Sequence, residues 1–470
     1  MNDKKITWVL LFISALFLGL IIYLTSIEIL YKDEYTASNL NTRTILREEN
    51  VMRGTIYDCD GEVLAYSKID DDVQKRYYPH INLYSHIIGY SSKTYGKSFI
   101  EKSYNSYLLG DDGLNTVFNI KKLLSGDMSD GNDLHLTIDH SVQKRASQLM
   151  DRYKGALVAL NPKTGEIIAM VSKPDFNPNQ TYLTKSWSDL NSDENSPFLN
   201  RATMGLYPPG STFKMITTAL LYDLGLEGEI VDDETGKTNI NGYILANTKN
   251  APYGETDIEK AFIKSSNVYF GEIGSKADWG EFKDIASSFM FNRKLDFDFP
   301  YTTSKFATGL LDRAERAATS IGQGKTLVSP LHLAMITGAF ANGGVMMKPY
   351  IVSSVTAPGG TTLLTNKPSV LTTAIDEATA DFVKDLMVET VERGTGTNAL
   401  IWGLTVGGKT GTAENEKTDE NPEKTHALFV SFAEDGEKEI AVAVILEYAG
   451  STGGSIAAPI AREVMRAYMQ

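Results

Sequence analysis

The chain has 470 residues, enough for two or three domains, and its 42% hydrophobic and 22% charged content is ordinary for a globular protein. The net charge is −14 without a Lys/Arg cluster, which argues against a nucleic-acid partner. Cys59 is the only cysteine, so an internal disulfide and a cysteine-based metal cluster are excluded. The six histidines lack metal-ligand spacing and are expected to be structural, so the sequence predicts no metal and no cofactor.

The first predicted element is an apolar segment over residues 6–27 that contains no charged side chain. At about 1.5 Å per residue, a helix of this length spans a hydrocarbon core of roughly 30 Å. A cleaved signal peptide is the alternative, but its apolar region is usually shorter and ends at small residues. Lys4 and Lys5 precede the segment and favour a cytoplasmic tail over residues 1–5. We therefore expect a single-pass cell-membrane protein with the rest of the chain outside.

The next part of the chain, residues 28–130, is polar, rich in tyrosine and weakly periodic. Short strands are expected at 42–46 and 54–57. Turn-forming residues over 125–133 mark a boundary. We expect a β-rich pedestal domain over 28–130 and a second domain over 131–470.

The second domain is predicted to begin with strands, continue with helices and end with strands. Asp139 caps a helix, and two apolar runs after it form a hairpin at a sheet edge. Residues 174–210 are expected to be a long loop. The helical patterns cover 211–222, 258–274, 281–290, 311–320, 330–341 and 457–469, and the late strand patterns cover 405–412, 426–433 and 439–447. This order predicts a layered α/β fold in which the first and last segments share one sheet.

Ser211 is the candidate nucleophile, because a stiff Pro-Pro-Gly turn delivers it to the first turn of a helix. Lys214 lies one turn further on the same helix face. A hydroxyl beside an amine at a helix N-terminus is the arrangement of a Ser–Lys nucleophile. The same spacing at Ser141 and Lys144, in a predicted surface helix without the Pro-Gly entry, shows that the spacing alone is weak evidence.

Two further motifs follow in the chain. Ser265-Ser266-Asn267 lies in the helical pattern 258–274, and Lys409-Thr410-Gly411-Thr412 lies on a predicted strand after two glycines. Single matches carry little weight, because Ser-x-Asn also occurs at 103–105 and Lys-Thr-Gly at 163–165. The ordered set of three motifs, each in a matching context, is specific.

The last motif also satisfies a phosphate-loop pattern over residues 403–410. Such a loop must follow a strand and open a helix whose N-terminus holds the phosphates. The residues after Thr410 are charged and polar and are not expected to open a packed helix. A nucleotide site is therefore disfavoured.

The triple of Ser-x-x-Lys, Ser-x-Asn and Lys-Thr-Gly resembles the signature of penicillin-binding proteins and serine β-lactamases. The resemblance extends from the anchor to the final helix and is closest to monofunctional class B penicillin-binding proteins of short form. Further similar segments are 53–58, 136–139, 161–166, 172–174, 322–324 and 458–461. Cys59-Asp60 departs from the usual Arg-Asn of the family, and the pedestal is short for the class. The resemblance implies a transpeptidase domain with a central antiparallel sheet flanked by helices.

The same resemblance implies a peptidoglycan D,D-transpeptidase that cross-links stem peptides through a serine acyl-enzyme and is acylated by β-lactams. Ser211 would attack the penultimate D-Ala carbonyl, with Lys214 as the base. Ser265 would relay a proton and Asn267 would orient Lys214. Lys409 would help to lower the pKa of Lys214 as a nearby cation.

The remaining implied roles concern substrate binding. The backbone N–H groups of Ser211 and Thr412 would form the oxyanion hole. Lys409, Thr410, Gly411 and Thr412 would hold the terminal carboxylate. The implied partners are stem peptides, β-lactams, the membrane and a SEDS-type glycan polymerase. A membrane-anchored β-lactamase, a β-lactam sensor and a non-catalytic cell-wall scaffold stay open as alternatives.

Overall fold

The computed structural model describes residues 3–30, 50–70, 73–111, 128–415 and 424–470. The predicted strand at 42–46 lies outside these ranges. So does part of the turn-rich stretch at 125–133.

Within these ranges one helix, α1 (Asp3–Leu30), is long and apolar enough to cross a membrane. Its stretch Lys4–Ser26 has a mean hydropathy of 2.5, and none of it is buried against other parts of the described protein. Apolar side chains over this length are stable in hydrocarbon, where the helix also satisfies its own backbone hydrogen bonds. The helix therefore fits the predicted membrane anchor at 6–27.

After α1, the described residues up to 136 form short strands and two short helices. These elements are β1 (Val51–Met52), β2 (Ile56–Tyr57), β3 (Val63–Asp70), β4 (Val73–Tyr77), β5 (Ser91–Ser92), β6 (Gly96–Lys97), α2 (Phe99–Ser103), α3 (Asn105–Leu108), β7 (Ser129–Asp130) and β8 (Asp133–Leu136). A buried carboxylate, Glu101, joins them by accepting bonds from Arg53 at 2.5 Å and Arg76 at 2.8 Å. Burial of the Glu101 carboxylate is tolerated because it is paired with these two cations.

The rest of the chain alternates between helices and strands. The helices are α4 (His140–Met150), α5 (Gln180–Ser192), α6 (Lys214–Asp223), α7 (Ile258–Lys264), α8 (Asn267–Gly274), α9 (Trp279–Ser288), α10 (Arg313–Ser320), α11 (Pro330–Ala341), α12 (Glu377–Arg393) and α13 (Gly453–Met469). The strands are β9 (Gly155–Leu160), β10 (Ile167–Lys173), β11 (Val231–Asp233), β12 (Lys237–Ile240), β13 (Tyr243–Ala246), β14 (Gly254–Thr256), β15 (Val345–Met347), β16 (Val352–Thr356), β17 (Thr362–Thr365), β18 (Val370–Thr373), β19 (Thr405–Ala413), β20 (His426–Glu434) and β21 (Glu439–Leu446).

Five of these strands form the central antiparallel sheet, in the order β10-β9-β21-β20-β19. The first and last segments of the domain therefore share one sheet, as predicted. Side chains alternate between its faces, so that Leu157 and Val444 lie in one apolar cluster while Val158 and Ala443 lie in the other. The buried helix α11 packs on one face, and α4 and α13 pack on the other. The result is the predicted layered fold.

A second sheet joins the N-terminal part to the later part of the chain. Its order is β17-β16-β8-β2-β3-β4, and β16 pairs antiparallel with β8, with Val355 opposite Leu134. Strands from both sides of the expected boundary at residue 131 thus belong to one hydrogen-bonded sheet.

Three elements differ from the sequence-based expectation. The predicted loop over 174–210 contains the helix α5, in which Leu183 is the one buried residue, so its sequence shows little apolar periodicity. The predicted helix over 258–274 is broken into α7 and α8, because Ser265 adopts a left-handed conformation with φ 59°. The long helix α12 was not predicted, although Asp376 caps it and an apolar face follows.

Candidate active site

The segment that carries Ser211 is a 3₁₀ turn, Gly210–Phe213, which leads directly into α6. The chain just before this turn is held in place, because Tyr207 and Val328 exchange backbone hydrogen bonds at 3.0 and 2.8 Å. Gly210 has φ +52°, and its N–H donates to the Gly322 carbonyl at 3.0 Å. Ser211 is half-buried, whereas the Lys214 side chain beneath it is fully buried. The turn and the helix thus place a half-buried serine and a fully buried amine one helical turn apart.

The Lys214 amine is surrounded by the second motif. Its Nζ donates to the Ser265 carbonyl at 2.9 Å and to Asn267 Oδ1 at 2.7 Å, and it lies 3.3 Å from Ser265 Oγ. It also lies 5.5 Å from the ring centroid of Phe270. All of these contacts fix the amine in one position.

The second motif lies at a helix break rather than inside a helix. Ser265 ends α7 in the left-handed conformation, and Ser266 caps α8 by accepting from the Tyr269 N–H. The prediction of one continuous helix is therefore wrong here. In a continuous helix the Ser265 side chain would lie along the helix surface. The break instead directs the Ser265 hydroxyl between two amines.

The second of these amines belongs to Lys409 on β19. Its Nζ lies 2.9 Å from Ser265 Oγ and 5.5 Å from the ring centroid of Phe262, and the side chain is fully buried. Burial lowers the pKa of Lys409 to about 7. Burial, and then the charge of Lys409, hold the pKa of Lys214 well below its ordinary value. A neutral amine near neutral pH is able to accept a proton.

The strand β19 borders the serine turn. A Cβ on Gly210 would lie 2.7 Å from the Thr412 carbonyl, and one on Gly411 would lie 2.9 Å from Thr212 Cγ2. Thr410 is almost completely buried, and its hydroxyl bonds the Thr395 hydroxyl at 2.8 Å, whereas Thr412 is exposed. The three motifs therefore meet at one place, which their separation in the sequence did not reveal.

The other motif matches lie elsewhere. Ser141 and Lys144 are exposed on α4, and Ser141 Oγ bonds the capping Asp139. Lys163 lies in the β9–β10 turn and pairs with Glu439. Asn105 accepts from Arg53 Nη1 in the N-terminal part.

Sequence reasoning missed two groups that contact the motif residues. Thr395 bonds Thr410, and Asn247 bonds the backbone of Asn267. Asn247 belongs to a short Asn/Thr/Lys stretch that resembles a solvated turn, so its sequence carries no signal of a buried role.

The chain matches the family model described as the penicillin binding protein transpeptidase domain over residues 155–466. It also matches the penicillin binding protein A dimerisation domain over residues 53–134. Together the two matches cover the N-terminal part and the central sheet.

Similar proteins are known by sequence and by structure. Peptidoglycan D,D-transpeptidase PbpA of Mycolicibacterium smegmatis is 32% identical over 97% of both chains. The MrdA transpeptidase of Acinetobacter baumannii is 32% identical over 83% of this chain and 65% of its own. A ceftriaxone acyl-enzyme complex of penicillin-binding protein A from Mycobacterium tuberculosis superposes with a TM-score of 0.85 at 30% identity, over 90% of this chain and 100% of that one. The penicillin G acyl-enzyme complex of the same protein has a TM-score of 0.82 over 89% of this chain and 100% of that one, also at 30% identity. From its domain matches, its identity to these relatives and its fold, the chain belongs to the penicillin-binding protein transpeptidase family.

Proposed function

We propose that the chain is a peptidoglycan D,D-transpeptidase that cross-links stem peptides through an acyl-enzyme on Ser211, and that β-lactams acylate the same serine. The observation that carries the proposal is the pair of buried amines, Lys214 and Lys409, which share the Ser265 hydroxyl at 3.3 and 2.9 Å. The names of the similar transpeptidases and the β-lactam acyl-enzyme structures support it.

In the acylation step, Ser211 Oγ attacks the carbonyl carbon of the penultimate D-Ala and gives its proton to Lys214 Nζ. This requires a neutral amine, which the lowered pKa of Lys214 supports. The backbone N–H groups of Ser211 and Thr412 would donate hydrogen bonds to the developing oxyanion, and the close contact between the serine turn and β19 supports this pairing. When the C–N bond breaks, the leaving D-Ala amine takes a proton from Lys214 through the Ser265 hydroxyl.

The acyl-enzyme is resolved by the amine of a second stem peptide. This amine attacks the ester carbonyl and loses a proton to Lys214, and the proton returns to Ser211 Oγ as the C–O bond breaks. Asn267 orients Lys214 during both steps through its 2.7 Å bond to the amine.

Lys409, Thr410, Gly411 and Thr412 would bind the terminal carboxylate of the donor peptide. An anion beside a buried amine favours the charged form, so the carboxylate would keep Lys409 protonated in the complex. Thr412 is exposed and Lys409 is buried, which supports a carboxylate site that is open to solvent at Thr412 and extends along β19 to the buried Lys409 amine.

The membrane topology is part of the proposal. The helix α1 would anchor the protein with residues 1–5 in the cytoplasm and the catalytic domain outside, where stem peptides are. A SEDS-type glycan polymerase is the proposed membrane partner.

The experiment incubates the full-length protein in detergent with labelled penicillin and locates the adduct by mass spectrometry. We expect a covalent adduct on Ser211 that Ser211→Ala abolishes and Ser141→Ala leaves intact. Release of D-Ala from a pentapeptide donor, with a cross-linked product in the presence of an acceptor amine, identifies the transpeptidase. Rapid hydrolysis of a chromogenic β-lactam would instead identify a β-lactamase, and labelling of Ser211→Ala would overturn the assignment.

A further inference from the structure

A buried amide–carboxylate pair, Asn247 and Asp233, lies beneath the N-terminus of α8. Asp233 ends β11, and Asn247 directly follows β13. Their exposed fractions are 2% and 3%. Neither residue belongs to the three motifs.

Asn247 caps α8 from a different segment of the chain. Its Oδ1 accepts from the N–H of Asn267 at 2.8 Å and of Val268 at 3.2 Å, and it lies 3.3 Å from Ser266 Oγ. The first N–H groups of a helix have no carbonyl partner within the helix. The Asn247 side chain supplies the missing acceptor for the N–H of Asn267, which belongs to the second motif.

The orientation of the Asn247 amide is fixed by its other end. Its Nδ2 donates to Asp233 Oδ2 at 2.5 Å and to the Ala251 carbonyl at 2.9 Å. Asp233 Oδ1 in turn accepts from the Gly236 N–H at 2.8 Å. Because backbone N–H groups only donate and carboxylates only accept, the amide has one satisfactory orientation.

The same segment orients the side chain of Asn267. Its Nδ2 donates to the Ala246 carbonyl at 2.7 Å, which leaves Oδ1 to accept from Lys214 Nζ at 2.7 Å. Consecutive residues, Ala246 and Asn247, therefore hold both the backbone and the side chain of Asn267. Ser265, two residues earlier, is placed by the same helix start.

We propose that Asn247, held by Asp233, is a positioning residue for acyl transfer that fixes Asn267 on Lys214 and the Ser265 hydroxyl between the two amines. This inference rests on the proposed function. A displacement of about 1 Å in a reacting group can cost roughly 100-fold in rate, so a buried pair at this distance from the chemistry affects the rate.

The decisive variant is Asn247→Asp, which retains the acceptor for α8 but places a second carboxylate against Asp233. The titratable groups around the new carboxylate are Asp233, the Tyr253 phenol that interacts electrostatically with Asp233, and Lys214 beyond Asn267. Two carboxylates in buried contact repel each other when both are ionised, so the pair holds one shared proton at lower pH. Its geometry is disturbed where high pH removes that proton. The double variant Asp233→Asn/Asn247→Asp exchanges the two side chains, so that an amide again donates to a carboxylate across the pair.

The measurement is the acylation rate constant for labelled penicillin in the full-length protein, expressed as the ratio of variant to wild type from about pH 6 to about pH 9. We expect the ratio for Asn247→Asp to fall roughly 10- to 100-fold at the alkaline end and to recover towards the acidic end. The double variant should return to within a few-fold of wild type. Asn200→Asp is the matched control, because Asn200 is also a buried amide with one donated and one accepted bond. Its ratio should not depend on pH.

An Asn247→Asp ratio near one at every pH would overturn the inference. A loss that is independent of pH and not rescued by the exchange, with a lowered unfolding temperature, would also overturn it, because that result indicates a structural role alone. If Asn247→Asp does not fold, Asp233→Asn serves in its place, and unchanged acylation in that variant counts against the inference. Absence of labelling in the wild-type protein would instead refute the proposed function.

Discussion

Replacing Lys409 with methionine removes one of the two buried amines and keeps an unbranched side chain of similar length. Lys214 then loses a positive neighbour, and only burial continues to lower its pKa. We therefore expect the pKa of Lys214 to rise. Because the base must be neutral, the acidic limb of the acylation profile should move to higher pH.

The size of this shift follows from the geometry. Both Nζ atoms contact the Ser265 hydroxyl, at 3.3 Å for Lys214 and 2.9 Å for Lys409, which limits their separation. At roughly 6 Å and an effective dielectric constant of about 20, two unit charges interact by about 3 kcal/mol, equivalent to about 2 pKa units. Lys409 is partly deprotonated near its pKa of about 7, so the expected shift is about 1 to 2 pH units.

The assay is the maximal rate of acylation by labelled penicillin as a function of pH. A maximal rate is measured at saturation, so a shift of the acidic limb of the profile is not confused with weaker binding of the carboxylate. Lys384→Met is the matched control, because Lys384 also lies over a phenylalanine ring but pairs with Glu434. Its limb should coincide with that of wild type. A Lys409→Met profile that is lowered equally at every pH, with an unmoved limb, would refute electrostatic tuning by Lys409.

Three further predictions follow from local geometry. Ser265→Gly and Ser265→Ala should both slow acylation by roughly 100-fold or more, but the glycine variant should be about 1 kcal/mol more stable in thermal unfolding, because φ is 59°. Gly210→Ala should destabilise the protein by about 1 to 3 kcal/mol and slow labelling, whereas Gly228→Ala, which meets open space, should be within about 0.5 kcal/mol of wild type. Glu101→Gln should lower stability by about 3 to 5 kcal/mol, measured by denaturant unfolding. Although burial opposes it, two arginines hold the pKa of Glu101 at about 2, so its contribution is present above the unfolded value of about 4.3 and is lost as pH falls towards 2.

Four strands of the central sheet could be predicted from the sequence because their residues are mainly apolar and turn residues bound them, whereas the edge strand β19 is rich in glycine and threonine. The run over β21 is buried at every position, which matches a continuous hydrophobic pattern. The helix α11 was predicted with its observed bounds, since Ser329 caps it and Pro330 opens it. These signals are local, and local signals are readable in a single sequence.

The details of the site could not be predicted in the same way. The pattern across Ser265 is compatible with one helix, and the contacts that Ser265 makes at the break, with Lys214 and Lys409, join residues far apart in the sequence. Asn247 acts on Asn267 across 20 residues of chain, and no periodicity links the two. Long-range polar pairings follow from the folded packing and not from local propensity.

The sheet that joins the two parts of the chain also constrains the order of assembly. The strand β16 pairs with β8, and the contact of His135 with Thr356 joins residues 221 positions apart. Until β16 has been synthesised, one edge of β8 has no neighbouring strand, and an uncovered edge invites pairing with other chains. Contacts of such high sequence separation fold slowly. The N-terminal part therefore completes its sheet only after most of the catalytic domain has been made, so that the two parts mature together and a chain truncated before β16 retains an open, association-prone edge.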